Sequence, residues 1–369
     1  MRYAREALAG IPKTVHGGQA WRTGGIEDYS HNLNPFGPPE RLPEIIAAAL
    51  GDVGHYPDDG CAELKGVLAR ALSIREENIT IGAGSSEIIR NFPNAFLERG
   101  GAAAVFRPSF AEYSQQCRVA GVGTTYIELS EEDDFRIDRG RVQIALAGGA
   151  EALYICNPNN PTGRVEPRRK ILDIVGECAD NGTLVFLDET LLELVPGHDD
   201  VSCMGYVDRY DNLVVAGSLT KSFAIPGIRV GYGVASPQLI GEMDKIRMTW
   251  NVGQIEQSVA AALVSGHMGH VREAAAMMAK ESKAMNSALK GIGFPVGNVS
   301  DSFFYFCPLH ELGMRGSEFQ RLMLREGVMV RDCASFGERF DSYVRFSVKD
   351  RERNDMFVRA AEAAMGRQG

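Results

Sequence analysis

The chain has 369 residues, 44% hydrophobic and 24% charged, which is enough to bury a large core and suits two domains. Its formal net charge of −9 disfavours nucleic acid, whose phosphate backbone needs a basic face, so an anionic ligand must meet a local arginine cluster. No apolar stretch is long enough to cross a bilayer, and Met1-Arg-Tyr-Ala-Arg-Glu lacks the apolar centre of a secretion signal, so the expectation is a cytoplasmic protein.

From about Ile79 to Val234, short apolar runs alternate with amphipathic stretches. The runs are Ala102 to Phe106, Glu151 to Cys156, Thr183 to Leu187, Leu213 to Ala216 and Val230 to Val234. Between them, Phe110 to Ala120 and Pro167 to Ala179 have helical spacing, with Gly, Pro and Asn clusters at the joins. This order predicts an α/β fold with a mostly parallel sheet covered by helices, whose ligand site lies at the carboxyl edge of the strands. After Trp250 come long Ala- and Met-rich helical stretches. The apolar runs Phe303 to Cys307, Gly327 to Val330 and Tyr343 to Val348 follow, and then a polar helix, which together read as a smaller α+β domain. The expected division is an N-terminal segment, 1–45, packing with the small domain, a large domain, 46–255, and a small domain, 256–369. Cys61, Cys117, Cys156, Cys178, Cys203, Cys307 and Cys333 form no CxxC pair and no cluster with histidine, which argues for reduced thiols rather than bridges or a metal site.

The chemistry concentrates around Ser218-Leu-Thr-Lys221-Ser-Phe-Ala-Ile-Pro-Gly-Ile-Arg229 and around Asp188, which closes the run Thr183-Leu-Val-Phe-Leu. A lysine in a polar, glycine-bounded turn is suited to hold a cofactor aldehyde as a Schiff base. A buried carboxylate keeps a pyridine nitrogen protonated by favouring the charged form, and Asp188 fits that task. Ser218, Thr220 and Arg229 flank the lysine and offer hydroxyls and a guanidinium to a phosphate. The combination reads as a pyridoxal phosphate site with Lys221 as the anchor and Asp188 as its acidic partner.

Further stretches resemble the fold-type I pyridoxal phosphate enzymes, and within them the branch that contains histidinol-phosphate aminotransferase and threonine-phosphate decarboxylase. The resemblance runs from about residue 16 to residue 354. It implies the fold-type I transferase-like architecture, with the cofactor held by the large domain, and a homodimer. Asn157-Pro-Asn-Asn160-Pro-Thr-Gly163 is similar to the family's Asn-Pro-Thr-Gly turn, which implies that Asn160 bonds the cofactor's ring hydroxyl and belongs to the substrate site. Gly82-Ala-Gly84-Ser85-Ser86-Glu87 matches the phosphate loop, where Gly84, Ser85 and Ser86 open a helix toward the cofactor phosphate. Phe110 occupies the position of the ring that stacks on the cofactor. Tyr56, in His55-Tyr-Pro-Asp, matches the tyrosine that reaches the phosphate held by the neighbouring subunit. Arg345, in Tyr343-Val-Arg-Phe-Ser-Val, matches the arginine that clamps the substrate carboxylate.

Three features lean toward the decarboxylase: His16-Gly-Gly-Gln, the proline in Ala224-Ile-Pro-Gly, and Arg331-Asp-Cys333 followed by Arg345 and Lys349-Asp-Arg-Glu-Arg-Asn354. They imply that His16 and Arg331 meet a substrate phosphate. Two positions depart from the pattern. Gln19 stands where asparagine is expected, and Leu191, in Asp188-Glu-Thr-Leu191, replaces the aminotransferases' tyrosine and cannot donate its hydrogen bond. The resemblance thus implies decarboxylation of O-phospho-L-threonine to 1-amino-2-propanol phosphate, a precursor of the cobalamin linker. The alternative is transamination of the histidinol-phosphate type with glutamate or 2-oxoglutarate. A non-catalytic sensor of the cofactor is a third reading, disfavoured because Lys221 and Asp188 occur together and no basic DNA-binding segment is present.

Overall fold

A computed structural model describes Leu8, Gly10, Ile11 and residues 24–366. In chain order the elements begin with β1 (Glu27–Asp28), α1 (Leu42–Ala49), α2 (Ala62–Leu72), β2 (Ile79–Gly82), α3 (Ser85–Phe96), β3 (Ala102–Arg107), α4 (Glu112–Ala120) and β4 (Gly123–Glu128). They continue with α5 (Arg139–Ala147), β5 (Ala152–Cys156), α6 (Arg168–Asp180), β6 (Leu184–Asp188), β7 (Leu213–Ser218), α7 (Leu219–Ser222), β8 (Gly231–Ala235) and α8 (Pro237–Ile246). The chain ends with α9 (Gln254–Gly266), α10 (Met268–Gly291), β9 (Phe304–Pro308), α11 (Gly316–Arg325), β10 (Val328–Met329), β11 (Arg331–Asp332), β12 (Tyr343–Ser347) and α12 (Arg351–Gly366).

The central sheet has seven strands in the order β2-β8-β7-β6-β5-β3-β4. All its pairings are parallel except the two made by β8, which runs against both β2 and β7. Strands β5, β7 and β8 are buried at every residue, which is why they read as unbroken apolar runs. Alternate residues serve opposite faces. Leu153, Ile155, Val185 and Leu187 join a core roofed by α2, α6 and α9, while Tyr154, Cys156, Phe186 and Val214 join one roofed by α3, α4 and α8. Local chemistry ends the helices where the chain must turn back. Asp138 caps α5 through Gly140 N at 2.7 Å, Ser236 precedes Pro237 at the start of α8, and Gly121 closes α4 with φ +87°.

The smaller unit is a three-stranded antiparallel sheet, β11-β12-β9, with β1 paired to β10 beside it. Its core gathers Tyr29, Phe294, Phe319, Phe346 and Phe357. The apolar cores divide later in the chain than the expected boundary after residue 255. Val259 and Leu263 of α9 and Val271 and Met278 of α10 belong to the large core, whereas Met285 and Leu289 of α10 belong to the small one. The N-terminal segment is shared as well, with Tyr29 in the small core and α1 against α9. All seven cysteines are buried as free thiols. No helix among the described residues is long and apolar enough to cross a membrane.

Candidate active site

A cavity of about 480 Å³ opens at the carboxyl edge of the parallel strands, roofed on one side by β11 and β12. Strand β8 runs the other way, so its first residue, Gly231, reaches the same edge just after Arg229. Phe110, Asn160, Asp188, Ser218, Thr220 and Lys221 line this one space. Ser85, Ser86, Arg229, Arg331 and Arg345 line it too, and Gly84, itself outside the lining, is the residue from which α3 starts just before Ser85. Two residues stand apart. Tyr56 is 72% exposed and stacks on Trp250 with ring centroids 4.1 Å apart, outside the cavity wall. His16 lies outside the described residues.

Lys221 projects from α7, a single turn whose cap is Ser218, the hydroxyl of which accepts from Thr220 N at 3.3 Å. Burial, together with the nearby guanidiniums of Arg345 and Arg229, lowers the Lys221 ammonium to about 8, so its neutral amine is accessible close to neutral pH. The second strand-end group is Asp188. It shares a sheet face with Phe186 and so points toward α4, where Tyr113 O–H donates to its Oδ2 at 2.7 Å. Thr190 N donates to Oδ1 at 2.9 Å. Burial pushes the Asp188 carboxyl above its ordinary value, while both donors work in the opposite direction.

The turn after β5 divides its three asparagines by task. Asn157 ties down the backbone of Glu166 through bonds of 2.8 and 2.9 Å, and Asn159 bonds Pro108 O and Thr162 Oγ1, each at 3.0 Å. Asn160 faces the cavity, where its Oδ1 accepts from Arg345 Nη1 at 2.5 Å. Arg345 also donates to Ser30 O, and burial lowers its guanidinium to about 10. Its Nε is buried without a hydrogen-bond partner. Arg331 and Arg345 are register partners across β11 and β12, so their side chains stand on one face of the small sheet.

The opposite end of the cavity has the chemistry of an anion cradle. Gly84 enters α3 with φ +79°, and a Cβ placed there would lie 2.5 Å from Arg229 Nη2. The positive end of α3 and the Arg229 guanidinium therefore face the same place. Thr220 Oγ1 is buried nearby with no hydrogen-bond partner, the kind of orphan that an incoming phosphate satisfies. A pyridoxal phosphate fits this donor set. Its phosphate would be held by α3, Ser218, Thr220 and Arg229, its aldehyde by Lys221, and its ring by Phe110 and Asp188.

Among the lining residues that the sequence reading missed are His31, Tyr113 and Phe336. Tyr113 lies one helical turn beyond Phe110, a spacing that places both rings on one side of the chain. His31 carried no such signal, since it sits in the irregular segment Ser30-His-Asn. Burial lowers its imidazole, and its Nδ1 has no hydrogen-bond partner. Leu191, whose aliphatic side chain was expected to leave a hydrogen bond unmade, is buried in the cavity wall.

The chain matches the family of class I and II aminotransferases over residues 28–360. It is 30% identical, over 91% of this chain and 92% of the relative, to a protein of Caldanaerobacter subterraneus subsp. tengcongensis named a putative threonine-phosphate decarboxylase. It is also 28% identical to histidinol-phosphate aminotransferase of Moorella thermoacetica, covering 96% of this chain and 91% of that one. The crystal structure of histidinol-phosphate aminotransferase from Clostridium acetobutylicum superposes with a TM-score of 0.83 at 26% identity, covering 92% of this chain and 99% of that one. A lysine, an acid and an anion cradle converging at the edge of this sheet thus agree with the family match, and the chain belongs to the class I and II aminotransferases, the fold-type I enzymes that work with pyridoxal phosphate.

Proposed function

We propose that this enzyme decarboxylates O-phospho-L-threonine to 1-amino-2-propanol phosphate, a step that feeds the cobalamin linker. The observation that carries the reading is the pair of guanidiniums, Arg331 and Arg345, set side by side on β11 and β12 and turned into the cavity that holds Lys221. A phosphorylated amino acid offers two anionic groups, and a planar fork donor suits each of them. Arg345, already bonded to Asn160, has its buried Nε in reserve for a carboxylate. Arg331 sits farther out, its Nη2 donating to Ser335 Oγ at 2.8 Å, and takes the phosphate together with His16. The loss of a phenol at Leu191 fits the decarboxylase better than the transaminating branch, while leucine itself matches neither pattern fully. The Caldanaerobacter relative carries the decarboxylase's name.

Bound pyridoxal phosphate supplies an electron sink for the carbanion left when a bond to the substrate's α carbon breaks. Asp188 keeps a positive charge on the ring side of the cavity, and Lys221, with its lowered ammonium, gives a proton to the α carbon. The side on which the arginines hold the carboxylate selects the bond that breaks.

A second copy of the chain belongs to this reading. Tyr56, Met248 and Trp250 are 72%, 66% and 46% exposed. Asp59 joins their two segments, accepting from Trp250 N at 2.7 Å and pairing with Arg247 at 3.2 Å. An apolar patch of this kind on a soluble enzyme marks a protein contact. It supports a homodimer in which Tyr56 serves the partner's phosphate.

The test is carbon dioxide release by the purified holoenzyme from O-phospho-L-threonine with no keto acid present. Steady release beyond one equivalent, with 1-amino-2-propanol phosphate as product, is expected. Turnover that requires 2-oxoglutarate with histidinol phosphate would make the enzyme an aminotransferase instead.

A further inference from the structure

Asp188 is fully engaged on its protein side. Its two oxygens accept from the Thr190 amide at 2.9 Å and from the Tyr113 phenol at 2.7 Å. Thr190 acts on the carboxyl through its hydroxyl as well as its amide, but it lies two residues along the same segment; Tyr113, whose bond has the larger effect, is the donor brought in from another element, α4. The phenol is completely buried, with Tyr154 stacked at 5.4 Å, Phe110 edge-on at 5.7 Å and Phe186 tilted at 6.2 Å. Such a nest would accept phenylalanine without loss, whereas a buried hydroxyl costs free energy unless it is bonded. Here its bond goes to the acid of the site.

We propose that Tyr113 is a positioning residue that keeps the Asp188 carboxylate ionised and aimed at the cofactor's ring nitrogen. The inference rests on the assignment of Asp188 to that nitrogen. A charge-assisted hydrogen bond from a neutral donor favours the carboxylate over the carboxylic acid, offsetting part of the burial that works against it. Burial and the facing carboxylate push the phenol well above its ordinary value, so it retains its proton and stays a donor at any pH the enzyme meets. The packed rings fix the position of the phenol oxygen, and its hydrogen bond thereby limits the rotation of the carboxylate.

The experiment is to follow the Asp188 side-chain carboxyl by carbon-13 NMR in the full-length protein, with Asp188→Asn identifying the resonance. Wild type is compared with Tyr113→Phe and with 3-fluorotyrosine at position 113, a more acidic phenol and stronger donor. The Asp188 titration should move to higher pH in Tyr113→Phe and to lower pH with fluorotyrosine. An Asp188 titration identical in all three proteins overturns the inference. In the holoenzyme, Tyr113→Phe should lower kcat about tenfold with KM unchanged, as expected for one lost charge-assisted bond. If the carboxyl titration shifts while kcat holds, Tyr113 acts on Asp188 as inferred, and the assignment of Asp188 to the ring nitrogen is what fails.

Discussion

Lys221 is the residue on which the chemistry turns, and its environment leaves a trace in stability. Its ammonium falls from the ordinary lysine range to about 8 in the folded apoprotein, so between pH 8 and the unfolded value the unfolded chain binds more protons. Stability contributed by this position is therefore lowest below pH 8 and rises as pH climbs through that window. Denaturant melts of the apoprotein should show wild type gaining on Lys221→Met from pH 8 to 10, and parallel curves would remove the claim. In the holoenzyme Lys221→Met should abolish the bound cofactor's visible absorbance band and slow turnover by roughly a thousandfold. Arg331 belongs to the same scale. Arg331→Ala should raise KM for phosphorylated substrates by about 10- to 100-fold while leaving unphosphorylated amino acids nearly untouched, a difference that steady-state kinetics on the two classes reads directly. Equal losses would move the phosphate elsewhere.

The first turn of α3 works as a unit with the start of β8, because both lack side chains where they meet. A Cβ on Gly231 would lie 2.2 Å from Ser85 N, and one on Gly84 would press on Arg229. Gly84→Ala therefore strains a φ of +79° by about 1–2 kcal/mol and also displaces the guanidinium from the anion cradle. Equilibrium dialysis should show cofactor affinity falling about tenfold or more with the far-UV circular dichroism unchanged, and unaltered affinity would rule out the cradle. Much of this level was legible in the residues. The buried strands announced themselves because they are apolar on both faces, and the motif residues fell at their ends. Strand β4 escaped because it is an edge whose Thr125 and Tyr126 meet solvent, leaving no apolar run to read. The reversed direction of β8 escaped too, since strand direction is a property of connections rather than of composition. Tyr113 reads from sequence as helix core, and only the facing parity of Phe186 and Asp188 turns it toward the acid.

At the scale of the whole molecule, the exposed patch around Tyr56 and Trp250 predicts that the working enzyme is a pair of chains. Met248→Asp should shift the sedimentation coefficient from dimer to monomer and weaken cofactor binding in parallel, whereas a dimer that survives the charge would place the contact on another face. The two cores are themselves joined by α10, a helix of 24 residues and therefore about 36 Å long. One end is packed through Val271 and Met278 and the other through Met285 and Leu289. Melting either core strips half of that rod of its apolar cover, so heat should take the chain apart in a single calorimetric endotherm. A linker of loose residues would have let the two cores melt at separate temperatures; a shared girder makes the small domain's hold on Arg331 and Arg345 as durable as the sheet that carries Lys221.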